Sequence, residues 1–240
     1  MDITKYTKPA RKLLPLRRCG AVIVAAGSAS RMGGIDKVMA PLKGEPMIVH
    51  TVRAFQTCDA ISEIVIVTRG DLILPITQLP NGFDKVTAVV LGGSSRQESV
   101  ANGKNALAAK CKLAAIQDGA RPLVTWQLID RVVRAAHSYH AAIPVIPVKD
   151  TIKVCNSALV ISPPDRSPLR AVQTPQVFDF ALLRGALKQA EIDGAEVTDD
   201  CSAVERLGMT VRTVDGDERN LKVTTPFDLK IAEMLMEETL

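Results

Sequence analysis

The chain reads as a doubly wound, Rossmann-like α/β protein with a mostly parallel sheet and a protruding β-hairpin arm, and three observations carry that reading. Short continuous apolar runs, AVIVAA, EIVIVT and KLAAIQ, have the length of strands and lack the alternation of a half-solvated sheet. Amphipathic stretches of helical period, such as MIVHTVRAFQ and WQLIDRVVRAAHSY, stand between such runs. Small or charged residues follow several of the runs, as in AAGSAS, GGSS and DGARP. A parallel sheet covered on both faces collects its ligands at the carboxyl ends of its strands, near the point where strand order reverses.

Residues 1–18 are expected to form an N-terminal extension ahead of the first strand, AVIVAA. The helix MIVHTVRAFQ, the strand EIVIVT, a helix-loop piece around Leu72 to Leu79 and the strand KVTAVVL come next. The helix SVANGKNALAAK precedes the strand KLAAIQD, and WQLIDRVVRAAHSY leads into AAIPVIPV. From Lys149 to Arg170 the period breaks, and KDTIKVCNSALVISPPDRSPLR alternates like a hairpin with Pro-Pro on its far side. An isolated hairpin is marginal in water, so Ile152, Val154, Leu159 and Ile161 need a partner surface, and a second subunit is the natural candidate. Regular pattern then resumes with the helices FDFALLRGALKQAEID and TDDCSAVERLG, the strand MTVRTVDG, and a closing helix, TTPFDLKIAEMLMEE, with Pro226 near its first turn. The 240 residues are expected to form one domain.

Composition excludes several classes. A net charge of +4 is mildly basic, and 3% aromatic residues are too few for platforms that stack single-stranded nucleic acid. A small phosphorylated ligand accounts for the excess cations. Five cysteines, Cys19, Cys58, Cys111, Cys155 and Cys201, form neither a CxxC pair nor a zinc-spaced cluster, as expected of reduced thiols in the cytoplasm. No apolar run reaches the length of a membrane span. His50, His137 and His140 are read as helical, and none lies near a Ser or Cys in a nucleophile-elbow context.

Five stretches carry chemistry. In GAVIVAAGSASRMGGIDK, Gly27 and Ser28 let the backbone approach a ligand and point N–H groups at phosphate oxygens, while Arg31 and Lys37 supply positive charge. Ala29 stands where a dinucleotide fingerprint needs its second glycine, and no Gly-Lys-Ser/Thr follows, so neither that fingerprint nor a P-loop is present. In LGGSSRQESV, Gly92 and Gly93 could bring backbone against a base edge, and Ser99 could cap the ligand or its own helix. Ser94 or Ser95 with Glu98 could equally form a helix cap. Asp118 directly follows a strand, where a carboxylate can hold Mg²⁺ bridging phosphates, or can pair with Arg121 to fix the loop. Thr151, Arg166 and Thr174 combine a guanidinium with hydroxyls, as a phosphate monoester requires. Lys222 precedes a helix and can place a point charge near a reacting phosphate. These tools suit attack by an anionic phosphate on a nucleotide α-phosphate, a reaction that needs no strong base.

The ordered motifs AAGSASRMGGIDKVM, GGSSRQESV, DGARP, PVKDTIK, QTPQVF, TDDCSA and NLKVTTPFDL resemble those of the 2-C-methyl-D-erythritol 4-phosphate cytidylyltransferases of the non-mevalonate isoprenoid pathway. The resemblance implies CTP as co-substrate, a sugar-alcohol phosphate as acceptor, Mg²⁺, and a homodimer whose 149–170 arms reach the neighbouring site. Matched residue by residue, it assigns Ala25, Ala26 and Gly27 to the loop under the nucleotide, and Arg31, Lys37 and Lys222 to catalysis. Gly93, Ser94 and Ser99 match the cytosine-reading turn, and Asp118, Ala120 and Arg121 the segment beside ribose and metal. Thr151, Arg166 and Thr174 match the acceptor grip. The chain departs from the family pattern at Ala29, commonly Gly, at Asp36, commonly Pro, and at Gly119, commonly Ala, and Asp36 would partly neutralise Lys37. A related enzyme class acting on ribitol 5-phosphate shares the nucleotide half, and a noncatalytic nucleotide-binding domain is the alternative from another class.

Overall fold

The computed structural model describes residues 18–27, 36–79, 82–195, 197 and 199–238, so most of the N-terminal extension lies outside the described residues. The first strand, β1 (Cys19–Ala25), is followed by a single 3₁₀ turn at Lys37–Met39 and the two-residue strands β2 (Pro41–Leu42) and β3 (Glu45–Pro46). Alternation then begins with α1 (Met47–Gln56), β4 (Ile61–Thr68), α2 (Gly70–Thr77), β5 (Val86–Leu91), α3 (Arg96–Ala106) and β6 (Leu113–Asp118). Next come α4 (Trp126–Tyr139) and β7 (Ala141–Pro147), and then the arm with β8 (Val154–Asn156) and β9 (Leu159–Ser162). The last part holds β10 (Arg170–Val172), β11 (Gln176–Asp179), α5 (Phe180–Ile192), α6 (Asp200–Arg206), β12 (Arg212–Asp215) and α7 (Pro226–Glu237).

The main sheet has the order β10-β7-β11-β6-β1-β4-β5, with β12 paired in parallel to β7. Its β5-β4-β1-β6 half is parallel throughout, and β11 and β10 run against their neighbours. Chain order therefore reverses between β1 and β6, which puts the switch point beside Gly27 and Asp118.

Period-two alternation splits the buried side chains of the central strands between two cores. Ala21 and Ile23 of β1, Ile64 and Ile66 of β4, and Leu113 and Ala115 of β6 face α1 and α4. Val22, Val65, Val67, Ala114 and Ile116 face α3, α5 and α6. Both faces are thus covered, which is why these strands read as unbroken apolar runs. Gly103 lets α3 sit close to the sheet, since a Cβ there would lie 2.4 Å from Val22 and 2.5 Å from Val67. A third cluster joins Leu42 and Met47 to Val223 and Ala232 of the closing segment, tying α7 to the site end of the molecule.

Two local readings need correction. The helix read from FDF opens only at Phe180: Phe178 is a fully buried residue of β11, and Asp179 caps α5 by accepting the Ala181 N–H at 2.9 Å. His140 is not helical but ends α4 as its C-cap, with φ of 68°. The 149–170 segment does contain a hairpin, β8 with β9, standing off the main sheet. Ile152, Val154, Leu159 and Ile161 are all exposed on it.

Candidate active site

A cleft of about 360 Å³ opens at the carboxyl ends of β1 and β6. Val24, Ala25, Ala26 and Gly27 form one wall, Lys37 and Val38 a second, and Gly93 to Arg96 with Ser99 a third. Asp118, Ala120 and Lys222 complete the lining. Register explains the meeting of the first and last groups, since β1 and β6 are adjacent and Val24 pairs with Asp118. The Lys37 ammonium lies over Gly27, 4.0 Å from where a Cβ on that glycine would sit.

Asp118 is the electrostatic centre. Its carboxylate is 2.9 Å from Lys222 Nζ, 3.6 Å from Arg121 Nε and 3.9 Å from Arg96 Nη2. Burial would raise this carboxyl, but Lys222, then Arg96 and Arg121, outweigh it and hold the group below its ordinary value. From behind, the Thr174 hydroxyl accepts the Asp118 N–H at 3.1 Å, and the Asn220 amide donates to the Thr174 carbonyl at 2.9 Å. Arg121 donates to the Asn220 carbonyl at 2.7 Å. Arg96 also pairs at 2.7 Å with Asp200, which is 1% exposed and whose carboxyl is pushed up by burial.

The turn after β5 is organised by its own side chains. Ser95 caps α3 by accepting the Glu98 N–H at 3.0 Å, and Glu98 accepts from the Ser94 N–H at 2.6 Å and its hydroxyl at 2.8 Å. Ser99 accepts the Gly93 N–H at 3.0 Å and donates to the Ser95 carbonyl at 2.9 Å. The capping alternative is therefore realised, while Gly93, Ser94 and Ser99 still line the cleft. Gly93 is required sterically by its neighbour, because a Cβ would lie 2.2 Å from Glu98.

Of the residues singled out in the sequence, Ala25, Ala26, Gly27, Lys37, Gly93, Ser94, Ser99, Asp118, Ala120 and Lys222 converge on the cleft. Arg121 and Thr174 stand behind it. Ser28, Ala29 and Arg31 lie outside the described residues. Thr151 and Arg166 do not line the cleft of their own chain, and Arg166 donates to the Lys149 carbonyl at 2.7 Å, across the base of the arm. Sequence reasoning missed Arg96 and Asp200. The available signal was a cation in the first turn of a helix, where the macrodipole disfavours it unless an anion is close.

Asp118 is the one carboxylate lining the cleft among the described residues, and no group of three metal-ligating side chains occurs among them. A single hard oxygen donor suits Mg²⁺, which keeps waters and leans on substrate phosphates.

Residues 19–238 match the IspD family, described as 2-C-methyl-D-erythritol 4-phosphate cytidylyltransferase. The chain belongs to this family. A cytidylyltransferase of that description from Symbiobacterium thermophilum is 46% identical over 219 residues, covering 90% of this chain and 92% of that protein. Another from Geobacillus kaustophilus is 43% identical, covering 90% and 96%. Among solved structures, the 4-diphosphocytidyl-2C-methyl-D-erythritol synthase of Anaerococcus prevotii superposes with a TM-score of 0.84 at 26% identity, covering 93% of this chain and all of that one. The 2-C-methyl-D-erythritol 4-phosphate cytidylyltransferase of Thermus thermophilus gives 0.76 at 33% identity, covering 92% and 99%. These likenesses bear out the nucleotidyltransferase form of the doubly wound fold.

Proposed function

We propose that the chain joins CTP to 2-C-methyl-D-erythritol 4-phosphate, giving 4-diphosphocytidyl-2-C-methyl-D-erythritol and pyrophosphate. The observation that carries this reading is the cleft at the switch point, where Lys37, Lys222 and Asp118 meet on a chain of this family. An acceptor phosphate oxygen attacks the α-phosphorus of CTP, and the bond to the departing pyrophosphate breaks. The nucleophile is already an anion, so the work is positioning and charge neutralisation. Lys37, Lys222 and Arg31 stabilise charge on the α-phosphate and the leaving pyrophosphate. Backbone from Ala25 to Ser28 supports the triphosphate, the Gly93, Ser94 and Ser99 turn reads the base, and Ala120 and Arg121 flank the ribose.

Mg²⁺ is part of the proposal: Asp118 would hold it together with substrate phosphates, and it would supply neutralisation of phosphate charge. Thr174 keeps Asp118 in place and, with Thr151 and Arg166, belongs to the acceptor grip. Because Thr151 and Arg166 stand apart from the cleft of their own chain, a homodimer joined through the 149–170 arm is the arrangement that brings them to a site. The chain is read as one domain with residues 1–18 as an extension, in a cytoplasmic setting suggested by its scattered cysteines. The test supplies CTP with either methylerythritol 4-phosphate or ribitol 5-phosphate and follows pyrophosphate release. Turnover is expected with the first, and turnover of ribitol 5-phosphate alone would sink the reading.

A further inference from the structure

Asp36 and Arg69 have no part in the chemistry described above, yet their geometry converges on the lysine turn. The Asp36 carboxylate works in two directions: Oδ1 accepts the Val38 N–H at 2.9 Å, capping the 3₁₀ turn that carries Lys37, and Oδ2 forms an ion pair with Arg69 Nη1 at 2.6 Å that lacks hydrogen-bond alignment. The same Nη1 donates to the Gly27 carbonyl at 3.3 Å. The rest of the guanidinium is taken by Asp71, with Nε 3.1 Å from Oδ1 and Nη2 2.9 Å from Oδ2. That two-bond fork fixes the plane of the guanidinium, and Asp71 sits in the first turn of α2, so the fork is anchored to a regular element. One nitrogen therefore joins the residue under the Lys37 ammonium to the residue that caps the Lys37 turn. Arg69 itself does not line the cleft.

A partly exposed ion pair of this kind adds little to global stability. Its effect is geometric. We propose that Arg69 and Asp36 are positioning residues, the Arg69 guanidinium committing the Asp36 carboxylate and holding the Lys37 turn against Gly27. This rests on the role given to Lys37 under the proposed function.

The backbone offers a test that separates position from charge. Asp36 has φ of −64°, which is the value a proline ring enforces. Arg69→Ala is expected to lower kcat roughly tenfold, since small misplacements of a catalytic group are costly. The KM for CTP should change less, the melting temperature should barely move, and the Val38 amide should exchange faster. Adding Asp36→Pro should bring the doubly substituted chain back to within about threefold of the parent, because the ring fixes the turn without the guanidinium. Parental kcat in Arg69→Ala, or a double variant no faster than Arg69→Ala alone, would overturn the positioning role. Unchanged Val38 exchange in Arg69→Ala would overturn the pin itself, independently of any turnover. Lys37→Ala assayed alongside distinguishes the two failures: a parental rate there removes the lysine's role and leaves the pin to be judged by exchange alone.

Discussion

The cleft and the arm of the same chain are built on opposite terms. Around the cleft, the candidate side chains have partners on other elements: Asp118 meets Lys222, Arg121 and Arg96, Arg96 meets Asp200, and Thr174 supports Asp118. Along the arm, Leu159 is 75% exposed and Ile161 63%, and Arg166 and Ser167 bond to nearby parts of the arm. A single chain specifies the first region by itself. The second carries apolar surface that a single chain leaves exposed.

The comparison can be broken at several points. The largest effect is expected from Asp200→Ala, which leaves Arg96 without its buried partner and should cost about 3 kcal/mol of stability; an unchanged urea midpoint would show that the Arg96 pairing is not a support of the cleft. Lys37→Ala and Lys222→Ala should each reduce kcat on the order of a hundredfold or more while leaving the melting curve near the parent's, and near-normal rates would remove the mechanism. On the arm, Arg166→Ala should raise the KM for the sugar phosphate about tenfold with kcat less affected, as expected for lost ground-state contact. For the proposed homodimer, Leu159→Ser combined with Ile161→Ser should shift sedimentation from dimer to monomer without altering the far-ultraviolet circular dichroism; a parent that sediments as a monomer, or a variant that stays dimeric, would remove the arm as the interface.

The smallest effect concerns acid. The Asp118 carboxyl lies below its unfolded value, so its contribution is complete above the ordinary aspartate range of about 4 and is lost as pH falls through the lowered value. Asp200 has the opposite sign, because its carboxyl is raised. Asp118→Asn should therefore flatten the fall in melting temperature on acidification below about pH 4, and an identical slope in both proteins would show that Asp118 gains nothing from its three cations.

How much of this was legible follows from how local each signal is. The strands of the parallel half and the helices α1 and α4 were readable because both faces of the sheet are covered and the helices are amphipathic. The antiparallel insertion of β11 between β6 and β7 was not, since QVFD is four residues long and runs directly into the α5 pattern. In the site, glycines and cations next to strand ends announced themselves. Asp200 did not, because a buried carboxylate on a short helix looks like an ordinary first-turn acid until Arg96 is found beside it. Asp36 was legible as a departure from the family pattern, but its partner Arg69 lies on the far side of β4 in sequence and no local pattern links them.

The pairing of Val24 with Asp118 across β1 and β6 has a consequence for how such an enzyme can change over time. Neighbouring strands are held about 4.8 Å apart by backbone hydrogen bonds, whatever their side chains. The spacing of the Val24 and Asp118 backbones, just ahead of the loop at Gly27, is therefore inherited from the sheet as from a ruler. Lys37, Lys222 and the arm hang from turns and extensions outside that pairing. Those parts can be altered one by one, while the spacing of the two strand ends stays as the sheet wrote it.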